Sequence, residues 1–124
     1  MRRMIASEIL IVREPLPRGM LEPLAKAWHG TLVKGVADLR RAVIALGGDW
    51  HMDANNALIA DGSKQEDVWG FNIYPKEHGD SALEYISLIN IRPAQGNKEM
   101  ELADKVLRAK IKEIVAKLAP ELGL

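Results

Sequence analysis

Apolar positions change their period several times along this chain, and each change marks an element. Ile9 to Val12 is a short continuous apolar run bounded by charge, which suits a buried strand. Leu21, Leu24, Ala25 and Trp28 then recur at helical spacing. Inside a helix Pro23 would remove a hydrogen bond and clash with the preceding turn, costing about 3 kcal/mol. The helix is therefore expected to begin near Glu22, with Pro23 in its tolerant first turn. Val33 to Ala37 and Ala42 to Leu46 read as two strands joined through Asp38-Leu39-Arg40-Arg41, a connection without the Asn-Gly signature of a tight hairpin. Asp53 as N-cap and Gly62 as stop frame a short helix over 54–60, with Ala54, Ala57 and Leu58 facing inward.

Val68 to Tyr74 alternates, which places Trp69, Phe71 and Ile73 on one face and Gly70, Asn72 and Tyr74 on the other. Pro75 closes that strand, and a second is expected over Leu83 to Ile91, ended by Arg92-Pro93. Met100, Ala103, Leu107, Ile111, Ile114 and Leu118 form the stripe of a last helix. Glu101 with Lys105, Asp104 with Arg108 and Glu113 with Lys117 are acid-first pairs at the spacing that supports it. The order β-α-β-β-α-β-β-α, without repeat or linker, predicts a single α+β domain over 1–124 with a largely antiparallel sheet. Residues 1–7 are expected to be a poorly ordered extension.

Composition narrows the partners. The 124 residues carry 17 Lys plus Arg against 17 Asp plus Glu, so the formal charge is zero. Arg40-Arg41 and the lysines of the last helix are interleaved with acids, which argues against a nucleic-acid partner. There is no cysteine, which removes disulfides, thiolate zinc sites and thiol nucleophiles and fits a reducing cytoplasm. The opening Met1-Arg2-Arg3 resembles a signal n-region, but Glu8, Arg13 and Glu14 interrupt the apolar run that follows. No run approaches the roughly 18 apolar residues that span a bilayer. A cytoplasmic protein with no membrane partner is expected. Dinucleotide, phosphate-loop, nucleophile-elbow and HExxH motifs are absent, so no cofactor is expected either.

Polar side chains at Asn72, Asn90 and Arg92 interrupt runs that otherwise read as sheet core, and their burial costs stability unless they are paired. If the two strands after Val68 and Leu83 pair antiparallel, Ser63, Lys64, Gln65 and Asp67 meet Arg92, Gln95 and Asn97 at one end of the sheet. With Asn97 capping the last helix, an arginine beside a helix start makes an anion site. The leading expectation is a polar or anionic small molecule bound through Lys64, Gln65, Asn72, Asn90, Arg92, Gln95 and Asn97. The competing structural reading has Asn97 only capping and Arg92 paired with Glu66 or Asp67. A second functional reading places Asp49, His51 and Asp53 on one side of an extended segment, as ligands of a metal-dependent hydrolase. It lacks a second local histidine, since His29 and His78 lie far off. A third is a non-catalytic interaction module, a homo-oligomer pairing through a strand edge. Trp28 and Trp69 are expected in the core, leaving Trp50 to line a pocket.

Three stretches carry a resemblance. They are Gly47-Gly48-Asp49 followed by His51 and Asp53; Gly62-Ser63 and Gln65 followed by Trp69-Gly70 and Asn72; and Asn90-Ile91-Arg92-Pro93 followed by Gln95-Gly96-Asn97. In that order they resemble a family of short prokaryotic proteins carrying a domain of unknown function. The resemblance covers nearly the whole chain and departs at the first helix, where Pro17 and Pro23 interrupt the helical pattern. It points to His51, Asp53, Ser63, Gln65, Trp69, Asn72, Asn90, Arg92, Gln95 and Asn97, and implies a fold unit without a known activity.

Overall fold

Strands at Leu10–Val12 (β1), Val33–Asp38 (β2), Val43–Leu46 (β3), Val68–Ile73 (β4) and Leu83–Glu84 (β5) form one antiparallel sheet in the order β1-β3-β2-β4-β5. Helices run over Leu21–Trp28 (α1), His51–Ala60 (α2) and Lys105–Leu118 (α3). The structure is a computed structural model and describes residues 8–124, so the expected extension over 1–7 lies outside the described residues. The α+β class and the antiparallel sheet are as the sequence predicts. Among the described residues no helix is long and apolar enough to cross a membrane.

Period-two alternation divides the core between two faces. Val33, Ala37, Ile44, Leu46, Trp69, Phe71 and Ile73 face α1 and α3, meeting Leu21, Leu24, Ile111, Val115 and Leu118. Val36, Val43, Ala45 and Val68 face α2, meeting Ala54 and Leu58. Because helices cover both faces, β3 is buried at every position, and its run of apolar residues needs no polar alternation. Each large side chain so buried contributes roughly 1.5–3 kcal/mol. Gly35 lies opposite Phe71, and a Cβ there would stand 2.4 Å from the Phe71 ring, so glycine makes room for the aromatic core.

The β2–β3 turn is organised by a buried carboxylate where the sequence lacks Asn-Gly. Asp38 Oδ1 accepts the Arg40 and Arg41 backbone N–H groups at 2.8 and 2.9 Å. Its Oδ2 accepts the Ser63 hydroxyl at 2.6 Å. Arg41 donates to Ser63 Oγ at 2.8 Å and to Asp61 at 2.7 Å, which ties the turn to the end of α2. Ser63 is thereby spent on the fold.

Three boundaries differ from expectation. Helix α2 begins at His51, and Asp53 sits in its first turn, where Oδ2 accepts the Trp50 N–H at 3.1 Å. Helix α3 begins at Lys105 with Asp104 as N-cap, accepting from Val106 N–H at 2.8 Å and Leu107 N–H at 3.2 Å. Asn97 is therefore not its cap, Met100 and Ala103 precede the helix, and Arg108 reaches Glu101 at 3.6 Å. The strand expected over Leu83 to Ile91 shrinks to the two residues of β5. Beyond Glu84 the backbone rises off the sheet edge, because the Asn90 side chain takes the place of a ladder residue. It accepts from Gly70 N–H at 2.8 Å and donates to Gly70 C=O at 3.0 Å. Ser87 packs where any Gly70 side chain would stand, 2.6 Å from its Cβ position.

Candidate functional site

The two polar loops meet as the hairpin argument requires, but they bind each other. Arg92 Nη1 donates to the Gln65 carbonyl at 2.8 Å, and Nε to the Ile89 carbonyl at 2.8 Å. Nη2 donates to the Val68 carbonyl, and the guanidinium lies 4.1 Å from the centre of the Trp69 ring. Gln95 holds the Glu66 carbonyl at 3.1 Å and also accepts from Arg92. Gln65 and Asn55 exchange a reciprocal amide pair at 2.8 and 2.7 Å. Asn97 donates to the Asn90 and Glu99 carbonyls at 2.8 Å each and accepts from Ala103 N–H at 3.0 Å. The expected Arg92 partners, Glu66 and Asp67, are replaced by carbonyls, and Asp67 pairs with Arg40 at 3.2 Å. Burial pulls the Arg92 pKa below its ordinary value. Lys64 is exposed, with no ion pair among the described residues. Most polar groups of this cluster are engaged in holding the chain together.

Asp49, His51 and Asp53 do not converge. Asp53 turns back to Trp50 N–H, while the His51 ring lies against the sheet. Among the described residues no group of three or more His, Asp or Glu side chains is placed to hold a metal ion.

His51 instead floors a cleft of about 560 Å³ between the start of α2 and the segment 86–89. Trp50, Met52, Leu88 and Met100 are apolar and partly exposed around it, and Lys34 and Asn72 share the floor. Lys34 lies in β2 on the side of the sheet that α2 covers, and it has no ion pair among the described residues. His51 Nε2 stands 2.8 Å from Asn72 Oδ1 and 2.9 Å from the Phe71 carbonyl. Both neighbours are acceptors, so Nε2 carries the hydrogen and Nδ1 keeps its lone pair. That assignment is fixed from behind: Asn72 Nδ2 donates to Glu84 Oε1 at 2.9 Å and to the Ile86 carbonyl at 3.1 Å. Glu84 Oε1 also accepts the Tyr74 hydroxyl at 3.1 Å. A polar row therefore runs from the cleft through His51, Asn72 and Glu84 to Tyr74.

Burial lowers the His51 pKa below its ordinary 6.5, with the Lys34 charge adding to the effect and the Phe71 and Asn72 hydrogen bonds opposing it. A depressed folded pKa means the unfolded chain binds the proton first as pH falls. The stability held by neutral His51 is complete above pH 6.5 and is lost as pH drops through the folded value. Denaturant melts between pH 7.5 and 5 should show this decline, and His51→Gln should flatten it. The lowered pKa values of Asp61, beside Arg13 and Arg41, and of Asp80, beside Lys112, act in a separate window below about pH 3.8. An unchanged slope in His51→Gln would remove His51 as its source.

A family model described as a protein of unknown function (DUF5674) matches residues 10–118. The chain belongs to that family. No curated protein and no solved structure matches it. Membership of a family of unknown function is as the resemblance implied, and the family description names no activity. Of the residues expected to bind a ligand, Asn72 alone lines the cleft; Gln65, Asn90, Arg92, Gln95 and Asn97 cluster elsewhere as loop clamps. The sequence reading missed Lys34 as a site residue. Its signal was present: a cation in an apolar strand, pointing to the same side as Val36.

Proposed function

We propose that this protein binds a small molecule with an apolar body and one anionic head in the cleft above His51. The observation that carries the reading is Lys34, a cation with no counter-ion among the described residues, lining a cleft whose walls are mostly apolar and which holds no other ionisable side chain besides the His51 imidazole. Clefts of roughly 300–1,000 Å³ with apolar walls and a few placed polar groups are the usual form of small-molecule sites. The expectation of an anionic ligand is kept, but its place moves from the loops of Arg92 to the cleft. His51 Nδ1 supplies a second polar contact, as an acceptor for a hydroxyl or amide donor.

Phenylacetate and its uncharged amide test this directly by isothermal titration and amide NMR. Phenylacetate at millimolar concentration is expected to bind and to shift signals of Lys34, His51 and Trp50. The amide should bind at least tenfold more weakly. Lys34→Met should remove that preference, since the two compounds share the aryl body and only the acid carries a negative charge for Lys34 to meet. Equal binding of acid and amide, or shifts confined to the Arg92 loops, would overturn the placement. A second reading is favoured by the rim, where Trp50 is 65% and Leu88 61% exposed: the same cleft could seat an apolar side chain of a second copy. Sedimentation at rising concentration decides it, because only that reading gives a dimer that Trp50→Ser disperses.

A further inference from the structure

The floor of the cleft carries more than a binding site requires. Anchoring an anionic head needs only a cation, yet His51 is held in one tautomer by two acceptors, with its remaining nitrogen unpartnered among the described residues. A histidine that lines a largely apolar cleft, oriented by a third group and with one nitrogen left to accept, is the arrangement of a general base. The same floor places a cation where negative charge would develop.

We propose that the cleft catalyses proton transfer at the carbon beside the carbonyl of an aromatic 2-oxo acid, with His51 as base and Lys34 facing the oxyanion. The inference rests on the binding reading above. A 2-oxo acid presents its carboxylate and carbonyl oxygen side by side, so one ammonium can serve both, and the aryl group lies against the apolar walls. His51 Nδ1 takes a proton from the methylene carbon. The C–H electron pair forms the new C=C bond while the carbonyl π pair moves onto oxygen, giving an enolate beside Lys34. The imidazolium then returns its proton, either to oxygen as the enol or to carbon as the keto form. Atoms and charge balance, and no oxidant or co-reactant enters. Burial keeps His51 in the unprotonated form that this step needs. The charged and titratable groups around it are Lys34 from β2, Glu84 behind Asn72 from β5, and His29 at longer range from the end of α1. Asn72 is a positioning residue, holding the Nε2–H tautomer.

Deuterium incorporation at the methylene of phenylpyruvate in D₂O, followed by proton NMR, tests the step. General acid–base catalysis predicts acceleration of about a hundredfold or more over buffer alone. His51→Gln should abolish it while phenylpyruvate and phenylacetate still bind; Lys34→Met should weaken both binding and exchange. Binding without accelerated exchange overturns the catalytic inference and leaves the binding reading standing. No binding of either acid overturns both. Full exchange in His51→Gln overturns the assignment of the base. Independently of any variant, imidazole ¹⁵N spectra of the unaltered protein should show Nε2 protonated and Nδ1 bare, and Asn72→Ala should mix the two tautomers. A His51 with its hydrogen on Nδ1 would overturn the mechanism even if the variants failed to fold.

Discussion

Asn90→Ala is expected to lower the melting temperature by roughly 10–15 °C, which corresponds to about 3 kcal/mol for a domain of this size. The Asn90 side chain is fully buried and satisfies both backbone groups of Gly70, standing in for the strand residue that β5 does not supply. Truncation removes those partners but leaves the N–H and C=O of Gly70 in the interior. Each buried backbone group so orphaned costs about 1–3 kcal/mol, more than the net worth of the bond itself. The same change frees the segment 86–91, of which residues 86–89 form one wall of the cleft. Thermal melts should therefore drop together with amide protection at Gly70. A melting point within a degree or two of the unaltered protein would mean that water enters and replaces the amide. Asn90→Asp gives an informative contrast, since it retains the acceptor for Gly70 N–H but loses the donor for Gly70 C=O.

This residue also marks the limit of what the sequence disclosed. Strands β2, β3 and β4 were legible because alternation and continuous apolar runs state directly which faces are covered. Helix α3 was legible over its last three turns, where Leu107, Ile111, Ile114 and Leu118 repeat at helical spacing. Leu83 to Ile91 misled for a physical reason. Its apolar residues are real, but a side-chain amide competes successfully for the sheet edge, and no periodicity distinguishes a ladder made by backbone from one made by Asn90. The same competition explains Asn97. Its amide was expected at a helix start and is used on three turn carbonyls instead, while Asp104, nearer the periodic run, takes the cap. The loop meeting was legible because β5 starts antiparallel to β4 and sends the chain back along it, although Asn90 on Gly70, not a continued ladder, carries it to the other end; the use of its polar groups was not, because donor-to-carbonyl pairing leaves no pattern in the chain. His51 was singled out for its neighbours Asp49 and Asp53, yet its partners Asn72 and Phe71 lie some twenty residues away in sequence.

Arg92→Lys is expected to lower stability by about 2 kcal/mol, or roughly 6–10 °C, while leaving phenylacetate binding in the cleft unchanged. Charge is conserved in this substitution, so any loss comes from geometry. The planar guanidinium spreads its donors over the carbonyls of Gln65, Val68 and Ile89 and sits over the Trp69 ring, joining the turn before β4 to the loop after β5. A lysine ammonium is a point charge that can reach one or two of those oxygens and cannot stack as a plane. The carbonyls it abandons lie partly buried, so solvent repays only part of what is lost. Arg92 also follows Ile91 and precedes Pro93, whose ring keeps the arginine backbone out of the helical region at φ −142° and ψ 82°, so the replacement side chain leaves from the same direction and cannot shift to compensate. Melting curves with and without inorganic phosphate separate the two roles this residue can have. A structural clamp gives the same drop in both. A lysine variant that melts like the parent but loses a phosphate-induced rise would instead return the anion site to the loops around Arg92.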